Sequence, residues 1–98
     1  MVIGICKVCL TLYDVFSLKD KRSVIKSIID RVKARYNASI AEVGMNDAWK
    51  SAVLGVACIS NDSAHVDRMI EEIIRFIEND GRIEIVDYST EKIHINST

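Results

Sequence analysis

The chain has 98 residues, of which 49% are hydrophobic, with a formal net charge of -1, four Gly and no Pro. A chain of this length can bury one modest hydrophobic core without metals or disulfides, so we expect a single domain over residues 1–98. The composition excludes a flexible linker and a Pro-rich arm, and no uncharged apolar run is long enough to predict a membrane span.

The first predicted element is a strand, because residues 2–13 are apolar and β-branched with no helical spacing. Both of its faces are apolar, which is typical of a central strand covered on both sides. An amphipathic helix is predicted over residues 18–36, starting at Ser17 and Asp20, which resemble a capping box. We expect Asn37 to end this helix in a left-handed turn.

Three further strands and a second helix follow. Residues 38–45 alternate as a second strand, and after a hairpin connection residues 49–60 predict a third strand that is again apolar on both faces. A cluster of N-cap residues then precedes the second helix, which Gly81 is expected to close as a C′ residue. Residues 82–88 predict the fourth strand, and residues 91–95 either prolong it or pair elsewhere, so whether the tail 89–98 extends this edge strand is open.

The element order is therefore βαββαβ, the ferredoxin-like split βαβ unit of the α+β class. Right-handed crossovers place the first and third strands in the middle of a four-stranded antiparallel sheet, with both helices on one face. Two helices leave the other face uncovered, although both central strands are apolar on two sides. Because such a face usually marks an interface, we expect a homodimer that packs sheet against sheet.

The sequence predicts no metal site and no cofactor. Cys6 and Cys9 form a C-x-x-C pair, but residues three apart in a strand point to opposite faces, so we interpret both thiols as packing residues. The two His are far apart in sequence and complete no ligand cluster with the three Cys. The odd number of Cys favours a reducing compartment, and we expect a cytoplasmic protein.

Evidence for catalysis is weak in this sequence. No Gly-rich phosphate loop follows the first strand, and no nucleophile has a base at a recognisable spacing, so we assign no catalytic residue. A polar pocket that joined Asp14, Asn61 or His65 would favour an enzyme. The stretch "AVLGVACI" of the third strand, residues 52–59, has no aromatic residue, which excludes the base-stacking sheet surface of an RRM.

Charge is unevenly distributed along the chain. Residues 19–35 hold seven Lys or Arg against two Asp, whereas residues 61–98 hold four against nine Asp or Glu. Four of the cations fall within about 60° of one another on the predicted helix: Lys19, Arg22, Lys26 and Lys33. They form either a solvated face partly paired with the acidic second helix or a surface that binds phosphates.

The leading hypothesis is a non-enzymatic binding module that contacts RNA or a ribosomal or ribonucleoprotein partner. The residues assigned to this contact are Lys19, Lys21, Arg22, Lys26 and Lys33. The alternative is a homo-oligomeric protein-interaction domain with no nucleic-acid role, in which the basic helix of one copy meets the acidic helix of another. Trp49, the only Trp, is either a lid on the core or an interface residue.

Several stretches of the chain resemble the small uncharacterised bacterial YlxP-like family: "YDVFSLKDKRSVIKSIIDRVKARYNASIAEV", then Trp49, "LGVACISND" and "HVDRMIEEIIRFIE". The resemblance runs from about residue 1 to residue 88. Its matching positions are Ser17, Leu18, Lys19, Lys21, Arg22, Tyr36, Asn37, Ser39 and Trp49. The resemblance implies a ferredoxin-like fold and no known reaction. Members of the family are often encoded beside translation and ribosome-assembly factors, which implies an RNA-related role by association.

Overall fold

A computed structural model describes residues 1–96 and contains the predicted alternation of strands and helices. The elements are β1 (Val2–Leu12), α1 (Leu18–Arg35), β2 (Ser39–Gly44), β3 (Ser51–Ser60), α2 (Ser63–Glu78) and β4 (Ile83–His94). The strands form one four-stranded sheet in the order β2-β3-β1-β4, and every neighbouring pair is antiparallel. This is the predicted ferredoxin-like α+β fold, with β1 and β3 in the middle.

The hydrophobic core lies between the two helices and one face of the sheet. Alternate residues of the central strands are buried there: Cys6, Val8 and Leu10 of β1 with Leu54, Val56 and Cys58 of β3. The helices contribute the branched side chains of Ile25, Ile28, Ile70 and Ile73. Full burial of one such side chain contributes about 1.5–3 kcal/mol, so this layer is the main source of stability.

Both helices begin at the caps that the sequence predicts. Ser17 Oγ accepts a hydrogen bond from the Asp20 N–H at 3.0 Å, and Asp62 Oδ1 accepts one from the Ala64 N–H at 3.0 Å. These bonds satisfy backbone donors that the first helical turn leaves without a partner. Within residues 1–96, neither helix is long and apolar enough to cross a bilayer.

The predicted helix ends were wrong in detail. α1 ends at Arg35, its C-cap residue Tyr36 is extended, and Asn37 does not have a positive φ. α2 ends at Glu78 and its C-cap residue Asn79 has a right-handed conformation, so Gly81 lies beyond the C′ position and also lacks a positive φ. In each case the cap N–H bonds back to a helix carbonyl, as Tyr36 does to Val32 at 2.8 Å, and no left-handed residue is needed.

The strands also differ from the predictions at their ends. β3 begins at Ser51, so Trp49 belongs to the connection before it. β4 continues to His94 and pairs with β1 along its length, which shows that the tail prolongs the fourth strand. The Ile95 N–H donates to the Met1 carbonyl at 2.9 Å and extends this pairing further. The last part of the predicted tail, residues 97 and 98, lies outside the described residues.

Candidate functional site

Helix α1 presents its charged side to solvent. Ile25, Ile28 and Val32 recur at intervals of three and four residues, and their burial fixes the side of the helix that faces the sheet. Four cationic residues with exposed side chains lie on the outward side: Lys19, Arg22, Lys26 and Lys33. We call these four residues the cationic stripe.

Most of the cationic stripe is not neutralised by carboxylates. Lys19, Arg22 and Lys33 form no ion pair within residues 1–96. Lys26 Nζ lies 2.8 Å from Asp30 Oδ2, one turn along the same helix, and this hydrogen bond raises the pKa of Lys26. Because both partners are exposed, the pair is screened by water and leaves Lys26 able to change partners. The stripe therefore presents net positive charge to solvent.

The arginines near the end of α1 face α2 and do not belong to the stripe. The guanidinium carbons of Arg31 and Arg35 lie 5.3 and 5.2 Å from the ring centre of Phe76. Arg31 Nη1 is also 3.8 Å from Asp80 Oδ2, and the Arg82 hydrogen bonds to Asp80 lower the pKa of that carboxyl. The contacts that α1 makes with Phe76 of α2 and with Asp80, in the connection after α2, therefore involve Arg31 and Arg35 and not the residues of the stripe.

Lys21 was assigned to the binding surface, and this assignment is wrong. Its side chain is only 1% exposed and its Nζ lies 3.0 Å from Glu42 Oε2, on β2. Lys21 Nζ also donates a hydrogen bond to the Met45 carbonyl at 2.6 Å. The sequence contained the signal for this burial, because Lys21 precedes Ile25 by four residues and Ile28 by seven, which places it on the apolar side of the helix.

The buried lysine attaches α1 to the connection between β2 and β3. The contact with Glu42 is an ion pair without hydrogen-bond alignment, so that carboxylate oxygen has no hydrogen-bond donor. Desolvation of an ammonium group is unfavourable, and the pair offsets it only in part. Lys21 therefore contributes to the position of the Met45 backbone relative to the helix and takes no part in a surface contact.

Trp49 is not a lid on the core, because half of its side chain is exposed. Its segment is held by backbone hydrogen bonds on both sides, from the Ala48 N–H to the Met45 carbonyl at 3.1 Å and from the Leu12 N–H to the Lys50 carbonyl at 2.9 Å. The interface role of Trp49 stays a prediction. The sequence predicted Trp49 as the first residue of the third strand, and its position outside the sheet follows from the start of β3 at Ser51.

No part of residues 1–96 covers the sheet face opposite the helices, and we call it the open sheet face. It carries Ile5 of β1, Ile59 of β3 and Ile93 of β4, which are between 36% and 54% exposed. A shallow depression on this face, around Ala57 of β3 and Val43 of β2, is lined almost entirely by apolar atoms. The open sheet face is therefore the second apolar face of the central strands that the sequence predicts.

The thiols are arranged for packing. Cys6 and Cys58 are buried on the helix side of the sheet, and burial raises the pKa of both thiols. Cys9 lies on the open sheet face and is partly exposed, so the C-x-x-C residues point to opposite faces as their spacing predicts. Within residues 1–96, no group of His, Cys, Asp and Glu has the arrangement of a metal site.

The polar residues that would favour an enzyme by sharing one pocket do not lie close together. Asp14 follows the end of β1, whereas Asn61 and His65 lie at the opposite end of the sheet, on the order of 30 Å away for a strand of this length. A groove of about 350 Å³ lies between α2 and β4. It contains Lys92, whose Nζ already pairs with Asp67 at 3.1 Å, and this groove lies apart from the cationic stripe.

Comparisons with known proteins agree with the resemblance seen in the sequence. A family model described as "Protein of unknown function (DUF503)" matches residues 3–90. The "Uncharacterized protein YlxP" of Bacillus subtilis (strain 168) is 34% identical over 83 residues, which is 85% of this chain and 90% of that protein.

Two solved structures are similar to this chain to different degrees. The de novo designed protein Foldit4 has a TM-score of 0.53 and 14% identity, covering 98% of this chain and 100% of that chain, and it shares the fold alone. A dimeric ferredoxin-like protein of unknown function from Thermobifida fusca has a TM-score of 0.42 and 13% identity to this protein. The match covers 95% of this chain and 92% of the Thermobifida fusca chain. Because the family model spans most of the sequence, the chain belongs to the DUF503 family, the YlxP-like family of proteins of unknown function.

Proposed function

We propose that the protein is a non-enzymatic binding module that holds the phosphates of RNA along the cationic stripe. The observation that carries this proposal is that Lys19, Arg22 and Lys33 are exposed on one side of α1 and have no ion-pair partner within residues 1–96. Each cation that reaches a phosphate releases condensed counterions from the RNA, and this release favours binding. The RNA is either free or part of a ribosomal or ribonucleoprotein particle.

The chemistry of the stripe fits phosphates better than base edges. Lysine and arginine side chains on an exposed helix are long, solvated and mobile, and phosphate contacts tolerate water and variable geometry. Neither central strand has an aromatic ring, so the sheet has no surface for stacking bases. The three free thiols support a reducing compartment, and we place this RNA contact in the cytoplasm.

Charge reversal tests the proposal directly. In a filter-binding titration, Arg22→Glu combined with Lys33→Glu is expected to lower the affinity for RNA by at least about 10-fold. Four phosphate contacts on a single strand predict that log K falls with log salt with a slope of about -3 for the wild type. Loss of two contacts reduces the slope to about -1.4.

The matched control is Arg68→Glu combined with Arg75→Glu, because both arginines are exposed on α2 and the change in net charge is the same. The control is expected to keep most of the wild-type affinity. An equal loss of affinity in both double variants, or no RNA binding by the wild type at low salt, contradicts the proposal.

The open sheet face favours a second candidate function, a homo-oligomeric protein-interaction domain with no nucleic-acid role. We take a second copy of the chain as the occupant. Exposed apolar residues of three strands form the centre of this face, and Lys7 of β1 lies among them with Asp87 and Glu91 on β4. Two copies packed face to face therefore bury apolar area and have opposite charges available for pairing.

Sedimentation velocity tests this second candidate. We expect a dimer whose Kd rises at least about 10-fold in Ile59→Lys, because a lysine buried in an apolar interface is unfavourable. The control is Tyr88→Lys, since Tyr88 has a similar exposure of 53% but lies on the helix side of β4. Dimerisation through the sheets is expected to depend little on salt because apolar area dominates it, whereas helix-to-helix association loosens as salt rises. A wild type that stays monomeric at all concentrations removes this candidate.

A further inference from the structure

One end of the molecule exposes a cluster of large side chains that the phosphate contacts do not use. Phe16 is 75% exposed, Met45 54%, Trp49 50% and Tyr13 47%. The chain has one Trp, three Tyr and two Phe, so half of its aromatic residues belong to this cluster. We call these four residues the aromatic end. Exposed aromatic side chains in one cluster are typical of binding surfaces.

The fold brings these residues together from two connections. Tyr13 and Phe16 lie between β1 and α1, whereas Met45 and Trp49 lie between β2 and β3. Because β1 and β2 both pair antiparallel with β3, they run in the same direction and end at the same edge of the sheet. A hydrogen bond from the Leu12 N–H to the Lys50 carbonyl, at 2.9 Å, joins the two connections.

The two connections are held in place by defined contacts. The Phe16 N–H donates to Asp20 Oδ2 at 3.1 Å, and this bond fixes the backbone just before α1. Met45 has a left-handed conformation with φ of 59°, and its carbonyl accepts from both Lys21 Nζ and the Ala48 N–H. A backbone held in position before binding loses less entropy when a ligand arrives, which favours affinity.

The charge around the aromatic end is complementary to a nucleic-acid strand that approaches from α1. Lys19 and Arg22 of the cationic stripe lie in the first turns of α1, next to Phe16. The carboxylates near the rings are Asp14 and Asp47, in the connections, and Glu84, whose Oε2 accepts a hydrogen bond from the Tyr13 hydroxyl at 2.9 Å. These three carboxylates outnumber the one cation of the two connections, Lys50, and disfavour phosphates there. Phosphates are therefore favoured along the helix, and uncharged base rings are favoured over the connections.

We propose that the aromatic end is a stacking site for unpaired bases of single-stranded RNA whose phosphates run along the cationic stripe. This inference rests on the proposed function, because the stripe supplies the phosphate contacts that bring the strand to the rings. A row of cations beside exposed rings is the usual arrangement of sites for single-stranded nucleic acids, where stacking tolerates any base. A duplex hides its base faces and reaches only the stripe.

The emission of Trp49 gives a direct test, because it is the only Trp in the chain. We expect a single-stranded RNA of about 12 nucleotides to quench Trp49 fluorescence, and a duplex of the same length to leave it unchanged. Phe16→Ala is expected to lower the affinity for the single strand by about 5- to 100-fold and to leave duplex binding unchanged. Tyr88→Ala is the matched control, since Tyr88 is an exposed aromatic residue in the middle of β4.

The outcomes separate this inference from the proposed function. Equal affinity for both forms of RNA, with unchanged Trp49 emission, overturns the stacking site and leaves phosphate binding by the stripe intact. The absence of binding to either RNA overturns both. A Phe16→Ala protein with wild-type affinity for the single strand also overturns the stacking site.

Discussion

Replacement of Glu42 by Ala is expected to lower the free energy of unfolding by about 3 kcal/mol, because it leaves a buried ammonium group without its counter-charge. Lys21 is 1% exposed, and the Glu42 carboxylate, which is 18% exposed, lies 3.0 Å from its Nζ. The hydrogen bond to the Met45 carbonyl remains in the variant but supplies no charge. Urea unfolding, followed by the fluorescence of Trp49 and by circular dichroism, measures this loss.

Two further variants test the reason for the loss. Asp30→Ala removes the carboxylate of the exposed Lys26–Asp30 pair and is expected to change stability little, because water already solvates both groups. Lys21→Met combined with Glu42→Leu replaces the pair by apolar side chains and is expected to recover most of the loss. A Glu42→Ala protein with the unfolding midpoint of the wild type would show that Lys21 is not held by this carboxylate.

Replacement of Gly4 by Ala is expected to lower the free energy of unfolding by about 1–3 kcal/mol through overpacking. Gly4 lies in β1 beneath α2, and a methyl group at this position overlaps Val66 Cγ1 and lies 3.3 Å from Ile70 Cγ1. Val66 is fully buried and β-branched, so it has little freedom to turn away. Helix α2 must therefore shift outward, and chemical denaturation measures the effect.

Gly81→Ala is the matched control for this prediction. No heavy atom lies within 4 Å of a methyl group built on Gly81, and its φ is not positive, so this substitution is expected to be neutral or slightly stabilising. In the double variant Gly4→Ala with Val66→Ala, the smaller side chain at position 66 relieves the overlap. The double variant is therefore expected to lose less free energy of unfolding than the sum of the two single losses. Additive losses contradict overpacking as the cause.

The sequence predicted much of the candidate site because helical periodicity is a local property. The spacing of Lys19, Arg22, Lys26 and Lys33 at 100° per residue was sufficient to place them on one side of α1. The assignment of Lys21 was wrong because it counted charges along the chain and did not follow that same spacing. Its partner Met45 is 24 positions away in sequence, a distance over which local patterns carry no information.

The aromatic end shows a different limit of the sequence. Phe16 falls in a predicted connection and Trp49 at the start of the predicted third strand, and their separation in sequence hides that the two segments meet at one edge of the sheet. The strand directions decide this meeting, through the pairing of β1 and β2 with β3. A single sequence records which side chains are apolar and does not record which of them share a surface.

The sequence alone determined the order of the elements, the central strands, the helix caps and the apolar side of each helix, since each depends on residues a few positions apart. Tertiary structure decided that Lys21 is buried, that Trp49 is exposed and that the open sheet face has no cover within residues 1–96. The physical reason is that burial of a charge or a ring depends on residues distant in the chain. Those neighbours are defined only when the sheet and helices pack.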